Sequence, residues 1–313
     1  MGRWPCDRTK PHTPGHTGGL DPPSGGPDGP DEDQPGRGPL STTQTTQPDL
    51  VAVKQRQQKM WASGDYSAVA ARIAVMAEDM VQAAGLKAGE RVLDVATGSG
   101  NAAIAAARSG CVVTGTDYVP ELLERGRARA AAEGLEVWFA EADAEDLPYK
   151  DGEFDAVLSS LGVMFAPDQE RAAAELVRVC RPGGTIAMVN WTPTGFIGGL
   201  LRTVGKHVPP PAGVRPPTLW GTEERLGELL GDAVSDLKVT RREFVFRFRS
   251  PEDFARFFKD NYGPTLKAFE ALDEPGRQRL FDDMTALARD HDQEPGSSVA
   301  IPSEYLEVVA TRK

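Results

Sequence analysis

RVLDVATGSGN, residues 91–101, followed by AAIAAAR, residues 102–108, is the stretch on which the fold turns. Arg91, Val92, Leu93, Asp94 and Val95 suit a strand buried on both faces, while Ala102 to Arg108 are strong helix formers, so the glycine turn between them is a strand-to-helix crossover. That is half of a βαβ unit. Gly98 and Gly100 lack Cβ atoms, so the backbone there can turn sharply and approach a ligand, which the free N–H groups of the next helix would face. A nucleotide-like cofactor fits such a place. Asp94 is the one charge inside an otherwise apolar strand, which is costly unless it lies at the strand's end and bonds something cationic or hydrogen-donating.

The turn suits two cofactors. Gly98 to Ala103 matches the GxGxxG/A dinucleotide pattern, and Asp117, closing the next strand (CVVTGTD, residues 111–117), stands where a ribose-binding acid belongs. Asp94 tilts the choice: a dinucleotide loop needs no carboxylate ahead of the glycines, but a cofactor with a free amino-acid end, S-adenosylmethionine, does. The spelling Asp94-Val95-Ala96-Thr97-Gly98-Ser99-Gly100 resembles motif I of the class I S-adenosylmethionine-dependent methyltransferases, especially the ubiquinone/menaquinone group, in which the first glycine is commonly alanine, as Ala96 is here. Glu141 to Pro148, with its Asp143-Ala144-Glu145-Asp146-Leu147-Pro148, is similar to the family's acidic motif, and Arg181-Pro182-Gly183-Gly184 before a strand is again its spelling. The resemblance spans roughly residues 60–192.

What it implies is an α/β fold: a Rossmann-like, doubly wound, seven-stranded and mostly parallel sheet with an antiparallel C-terminal strand and a helical cap. By the same resemblance Asp117 would accept the ribose hydroxyls, and Tyr118 would lay its ring near the adenine. Asp143 would accept from the adenine amino group and the N–H of Ala144 would donate to a ring nitrogen, leaving Glu145 and Asp146 as a solvated pair. Ser160 and Leu161, off the fourth strand (Phe154 to Ser160), would neighbour the sulfonium. The expected cofactor-binding set is therefore Asp94, Ala96, Thr97, Gly98, Gly100, Asp117, Tyr118, Asp143, Ala144 and Ser160. No metal site is expected, and no catalytic residue is assigned.

Composition narrows the function classes. A formal charge of −11 over 313 residues, with no basic cluster longer than Arg241-Arg242, argues against a surface that gathers phosphates, so nucleic acid is not an expected partner. The three cysteines, Cys6, Cys111 and Cys180, lie far apart without CxxC spacing, consistent with a reducing cytoplasm. No run of 18 apolar residues occurs and the first residues lack the apolar core of a signal peptide, so neither a membrane partner nor export is expected.

Four segments are expected along the chain. Residues 1–48 hold ten prolines and nine glycines and should be a disordered tail, in which the spacing of His12 and His16 has no geometric meaning. Residues 49–84 should form two helices interrupted near Ser63-Gly64-Asp65; in the resembling enzymes this segment lies over the cofactor, which makes Trp61, Asp65 and Tyr66 lid candidates, although the aromatics could equally be anchors. Residues 85–192 are the cofactor-binding core. Residues 193–313 are expected to supply a substrate cap and the strands that complete the sheet: an apolar helix near Phe196 to Val208, a long strand over 237–249 with Phe244, Phe246 and Phe248 on one face, a helix carrying Phe254, Phe257, Phe258 and Tyr262, a further helix over 275–288 and a last strand over 304–311. His207 is the only histidine in a plausible pocket segment and the only candidate base.

The function expected is methyl transfer from S-adenosylmethionine to oxygen or carbon of a small molecule, since the chain shows no Asn-Pro-Pro-Tyr signature of amino-group methylation and no Pro-Cys pair of the sort that base-methylating enzymes use as a nucleophile. Two alternatives stand beside it. An NAD-dependent oxidoreductase would leave Asp94, Asp143-Ala144 and Arg181 to Gly184 unexplained, and a binding module that holds the cofactor without chemistry would have the same glycines and acids. Oligomeric state is not legible.

Overall fold

The computed structural model describes residues 49–294, 296 and 298–313; the expected tail over 1–48, with Cys6, His12 and His16, lies outside the described residues. In chain order the elements are α1 (Leu50–Trp61), α2 (Tyr66–Arg72), α3 (Ala74–Ala84), β1 (Arg91–Val95), α4 (Asn101–Arg108), β2 (Val112–Asp117), α5 (Pro120–Ala132), β3 (Val137–Glu141), β4 (Phe154–Ser160), α6 (Gln169–Val179), β5 (Cys180–Trp191), α7 (Phe196–His207), α8 (Glu223–Leu230), β6 (Val234–Phe248), α9 (Pro251–Asn261), α10 (Gly263–Ala271), α11 (Glu274–Asp290) and β7 (Val299–Arg312). Short 3-10 turns at Val163–Phe165, Pro217–Gly221 and Gly231–Ala233 join some of them.

One seven-stranded sheet runs in the order β3-β2-β1-β4-β5-β7-β6. The first five strands are mutually parallel, and β7 lies antiparallel to both β5 and β6. This is the doubly wound, mostly parallel sheet with antiparallel C-terminal strands that the sequence implies. The order reverses direction between β1 and β4, so a crevice opens there at the strands' carboxyl ends. Val92, Leu93, Val95, Val157, Leu158 and Ile186 to Val189 are buried, as strands covered on both faces require. Helix ends follow local chemistry: Gly85 closes α3 in the left-handed region, Asp168 accepts from Arg171 N, Thr222 from Arg225 N and Ser250 from Asp253 N.

Three expectations are corrected. The second of the two helices over 49–84 is itself broken at Ile73 (φ −104°, ψ 10°), giving α2 and α3. Helix propensity does not mark this one-residue break, which has a tertiary cause: the Arg72 guanidinium lies over the rings of Phe248 (4.7 Å) and Phe257 (4.2 Å), while Ile73 turns inward and is buried. The Arg181 to Gly184 segment is a bulge inside β5, which already pairs with β4 at Cys180 opposite Phe154 and resumes at Thr185 opposite Ala156. Finally, the helix expected to carry Tyr262 ends before it, and Tyr262 (ψ 111°) joins α9 to a separate α10.

Candidate active site

The crevice at the end of β1 is shaped by backbone strain. Ala96 (φ 52°), Gly98 (φ 56°) and Gly100 (φ 87°) all occupy the left-handed region, turning the chain from β1 into α4 within five residues. Ala96 has a Cβ and adopts that conformation at a cost, a feature typical of ligand sites. Behind the turn, Asp94 Oδ2 accepts from Thr97 Oγ1 and from Ala103 N at 2.9 Å, and Oδ1 has no partner. Burial pushes this carboxyl up to about 7; the Thr97 and Ala103 bonds oppose the rise and the nearby charge of Asp117 adds to it.

Asp117 closes β2 opposite this turn. Its Oδ2 accepts from Gly98 N at 2.9 Å and its Oδ1 from Val119 N at 3.0 Å, so the carboxylate ties the glycine turn to the start of α5. Burial raises it to about 6, and the backbone N–H bonds hold it down. Each oxygen keeps a lone pair for a further donor. Tyr66 stands across the cleft, its hydroxyl pushed up to about 12 by burial and by Asp117, and it remains neutral at ordinary pH.

Helix α1 roofs the cleft. Lys54, Gln57, Gln58 and Trp61 fall on one face at helical spacing. Lys54 Nζ pairs with Asp143 Oδ2 (2.6 Å) and Glu145 Oε2 (2.8 Å) after β3, Gln58 Nε2 donates to Tyr118 O after β2, and Gln57 Nε2 donates to Phe165 O (3.2 Å) after β4. One helix therefore touches the loops after three successive parallel strands. The pairing corrects the expectation for Glu145: it is buried, held by Lys54 and by Asp168 N (2.8 Å), and only Asp146 of the expected pair is solvated. The carboxylate could leave water because a cation is supplied from a distant helix, which local sequence does not reveal.

At the end of β4, Leu161 (φ 58°) is a second strained non-glycine residue. Gly162 then passes so close to the β1 turn that a Cβ there would lie 2.3 Å from Ala96 O. Ser159 Oγ donates to Val95 O (2.7 Å) and accepts from Val163 N (2.9 Å), locking the two loops together. Trp61 meets Phe165 edge-to-face at 4.9 Å and Tyr66 at 5.5 Å, which makes an aromatic wall beside Ser160 and Leu161.

The resulting cleft holds about 860 Å³ of empty space with its open mouth included. Of the expected set, Ala96, Thr97, Gly98, Asp117, Tyr118, Asp143, Ala144 and Ser160 line it. Asp94 and Gly100 stand behind the wall, Asp94 bonded to Thr97 and Gly100 packed against the Phe139 ring. Trp61 and Tyr66 also line it; Asp65 instead pairs with Arg125 at the surface. His207 lies outside the lining, with Nε2 2.7 Å from Asp283 Oδ2, so it is not positioned as a base. Lys54 and Gln57 were missed, although their spacing from Trp61 places all three on one helix face.

A family model described as "Methyltransferase domain" matches residues 93–188, from within β1 to within β5. An uncharacterised protein of Mycobacterium tuberculosis is 46% identical over 254 residues, covering 80% of this chain and 92% of that protein. The demethylmenaquinone methyltransferase of Thermus thermophilus is 41% identical over 128 residues, 40% of this chain and 58% of that enzyme. Among solved structures, the YcgJ protein of Bacillus subtilis shares the fold with a TM-score of 0.54 at 18% identity, covering 76% of this chain and 97% of that one.

Proposed function

The chain belongs to the class I S-adenosylmethionine-dependent methyltransferases, similar to the ubiquinone/menaquinone group, and from that premise we propose that it methylates oxygen or carbon of a small, flat, largely apolar acceptor. Family membership sets aside the oxidoreductase alternative. Bound in the cleft, S-adenosylmethionine supplies an electrophilic methyl group. Asp117 accepts from the ribose, Asp143 and the Ala144 N–H address the adenine, Tyr118 flanks it, and Ala96, Thr97 and Gly98 follow the methionine part towards Ser160 and Leu161. Asp94 acts through the turn it holds, by fixing Thr97 and the start of α4. Helices α1 to α3, within residues 49–84, form the lid, and residues 193–313 contribute the cap that sets acceptor specificity.

The aromatic wall of Trp61, Tyr66 and Phe165 beside Ser160 is the observation that carries the acceptor class. Such rings present flat apolar surface with few fixed polar groups. Cleft-lining residues include no histidine or cysteine, and Tyr66 is too weak an acid to serve as a base near neutral pH. In-line transfer needs orientation rather than a covalent step, and with no base assigned the acceptor is one that reaches the cleft already ionised: a phenolate, an enolate or a ring carbon activated by one, its proton lost to water.

Calorimetric titration with S-adenosylhomocysteine, and separately with NAD, tests the cofactor; binding of the former alone is expected. Release of S-adenosylhomocysteine is then followed against phenols, quinols and amines. Turnover confined to amines would sink the acceptor assignment, and cofactor binding without turnover on any of them would favour a non-catalytic module.

A further inference from the structure

The glycine turn between β1 and α4 is gripped from three sides by charged side chains, and the third of them, Arg129 of α5, stands behind the cleft wall. Asp94 and Asp117 take the donors of the turn: Thr97 Oγ1 and Ala103 N go to the first, and Gly98 N goes to the second. Arg129 supplies the acceptors. Its Nη1 donates to Ser99 O at 2.7 Å and to Asn101 Oδ1 at 2.8 Å, with Ser99 Oγ at 3.2 Å sharing one of the two N–H groups. Ser99 precedes the N-cap Gly100, so its carbonyl lies outside the helical ladder and takes no backbone N–H among the described residues.

No ion pair holds Arg129 there. It is half-buried, which depresses its pKa, and among the described residues no carboxylate lies within 4.0 Å of it; Glu133, one helical turn on, pairs with Arg108 instead. The guanidinium therefore gives up part of its hydration for neutral oxygens, and the side-chain and backbone oxygens it meets belong to the turn. Its bond also fixes the Asn101 amide. With Oδ1 on the guanidinium, Nδ2 donates to Ala70 O of α2 at 2.9 Å, and the flipped amide would set N–H groups against Arg129 and oxygen against oxygen at Ala70. Ser99, Asn101 and Ala70 all line the cleft.

We infer that Arg129 is a positioning residue for the amino-acid end of the cofactor: through Ser99 it sets the course of the turn that this end follows, and through Asn101 it ties the turn to the lid helix α2. This rests on the methyltransferase reading above. Arg129 touches no ligand itself. Without it, Ser99 O and Asn101 Oδ1 lose their donor together, so the turn and α2 shift against each other, while Asp117 and Asp143 keep their places for the nucleoside.

The test is calorimetric titration of the full chain, of Arg129→Met and of Arg129→Lys with S-adenosylhomocysteine and with 5′-methylthioadenosine, which has the same nucleoside but lacks the amino-acid end. Arg129→Met is expected to weaken S-adenosylhomocysteine by roughly tenfold and to leave methylthioadenosine unchanged. Arg129→Lys, which keeps a charged donor, recovers part of that loss. Unchanged affinity for S-adenosylhomocysteine in Arg129→Met overturns the inference. An equal loss for both ligands overturns it too, since general support of the fold would weaken them alike, and so does a lysine variant that binds S-adenosylhomocysteine no better than the methionine one. If Arg129→Met does not fold, the comparison of the two ligands in Arg129→Lys decides in the same way, a loss confined to S-adenosylhomocysteine supporting the inference and any other result overturning it. A wild-type chain that binds neither ligand fails the methyltransferase reading itself.

Discussion

Asp94 and Asp117 are two buried carboxyls whose ordinary acidity the fold suppresses, to about 7 and about 6, chiefly by burial. For a carboxyl raised in the folded state, the stabilising contribution is complete below its unfolded pKa and is lost as pH rises through its folded value. Above pH 7 the unliganded chain therefore holds an ionised Asp94 whose Oδ1 is unmatched. We predict that Asp94→Asn raises the stability of the unliganded chain by about 1 to 2 kcal/mol at pH 8, with the gain shrinking towards pH 5. Thermal unfolding at the two pH values checks this, and an equal difference at both would show that Asp94 does not titrate between them. Asp117 differs in that both oxygens already hold backbone N–H groups. Asp117→Ala is expected to weaken S-adenosylhomocysteine by roughly 1 to 3 kcal/mol and to lower the melting temperature too, since Gly98 N and Val119 N lose their acceptor; a loss of affinity with no change in melting would mean other groups replace it.

At the scale of elements, the cleft floor depends on two loops pressed together at Gly162 and Ala96. Gly162 has an ordinary negative φ (−96°), so its requirement is space alone. We predict that Gly162→Ala forces the loops apart, destabilises the chain by about 1 to 3 kcal/mol and reduces cofactor affinity; a variant with wild-type melting and binding would show that the contact yields freely. The contact joins segments 66 residues apart, and nothing in the local spelling announces it. What was legible follows the same division. The strand, turn and helix from Arg91 to Arg108 and the acid at Asp117 were readable because their chemistry is local: apolar runs, a glycine turn and an acid at a strand end. The break at Ile73, the burial of Glu145 and the roles of Lys54 and Gln57 were not, because each is settled by a partner far along the chain: Phe248 and Phe257, Lys54 itself, Phe165.

For the whole molecule, the C-terminal residues are not an appendage. Strand β7 lies between β5 and β6, so the last residues of the chain sit inside the sheet and β6 reaches the other strands only through them. Truncation before Val299 would expose the buried side chains of β5 and leave β6 unpaired. We predict loss of cooperative unfolding and of cofactor binding together, read by circular dichroism melting and calorimetry; a truncated chain that still melts sharply would show that the parallel half folds alone. The parallel strands were legible singly, whereas the order that carries β7 inward was not, since antiparallel pairing between residues 185–191 and 305–311 is not a local property.

The aromatic wall also makes the protein its own optical reporter. Trp61 is the one tryptophan that lines the cleft; Trp138 is 71% exposed on β3, Trp191 and Trp220 are buried elsewhere, and Trp4 lies outside the described residues. A ligand that enters beside Trp61 changes the surroundings of a single indole against a constant background from the others described. Emission should shift on addition of S-adenosylhomocysteine and should stay still in Trp61→Phe, so occupancy of the cleft can be followed by fluorescence in real time before any acceptor is known.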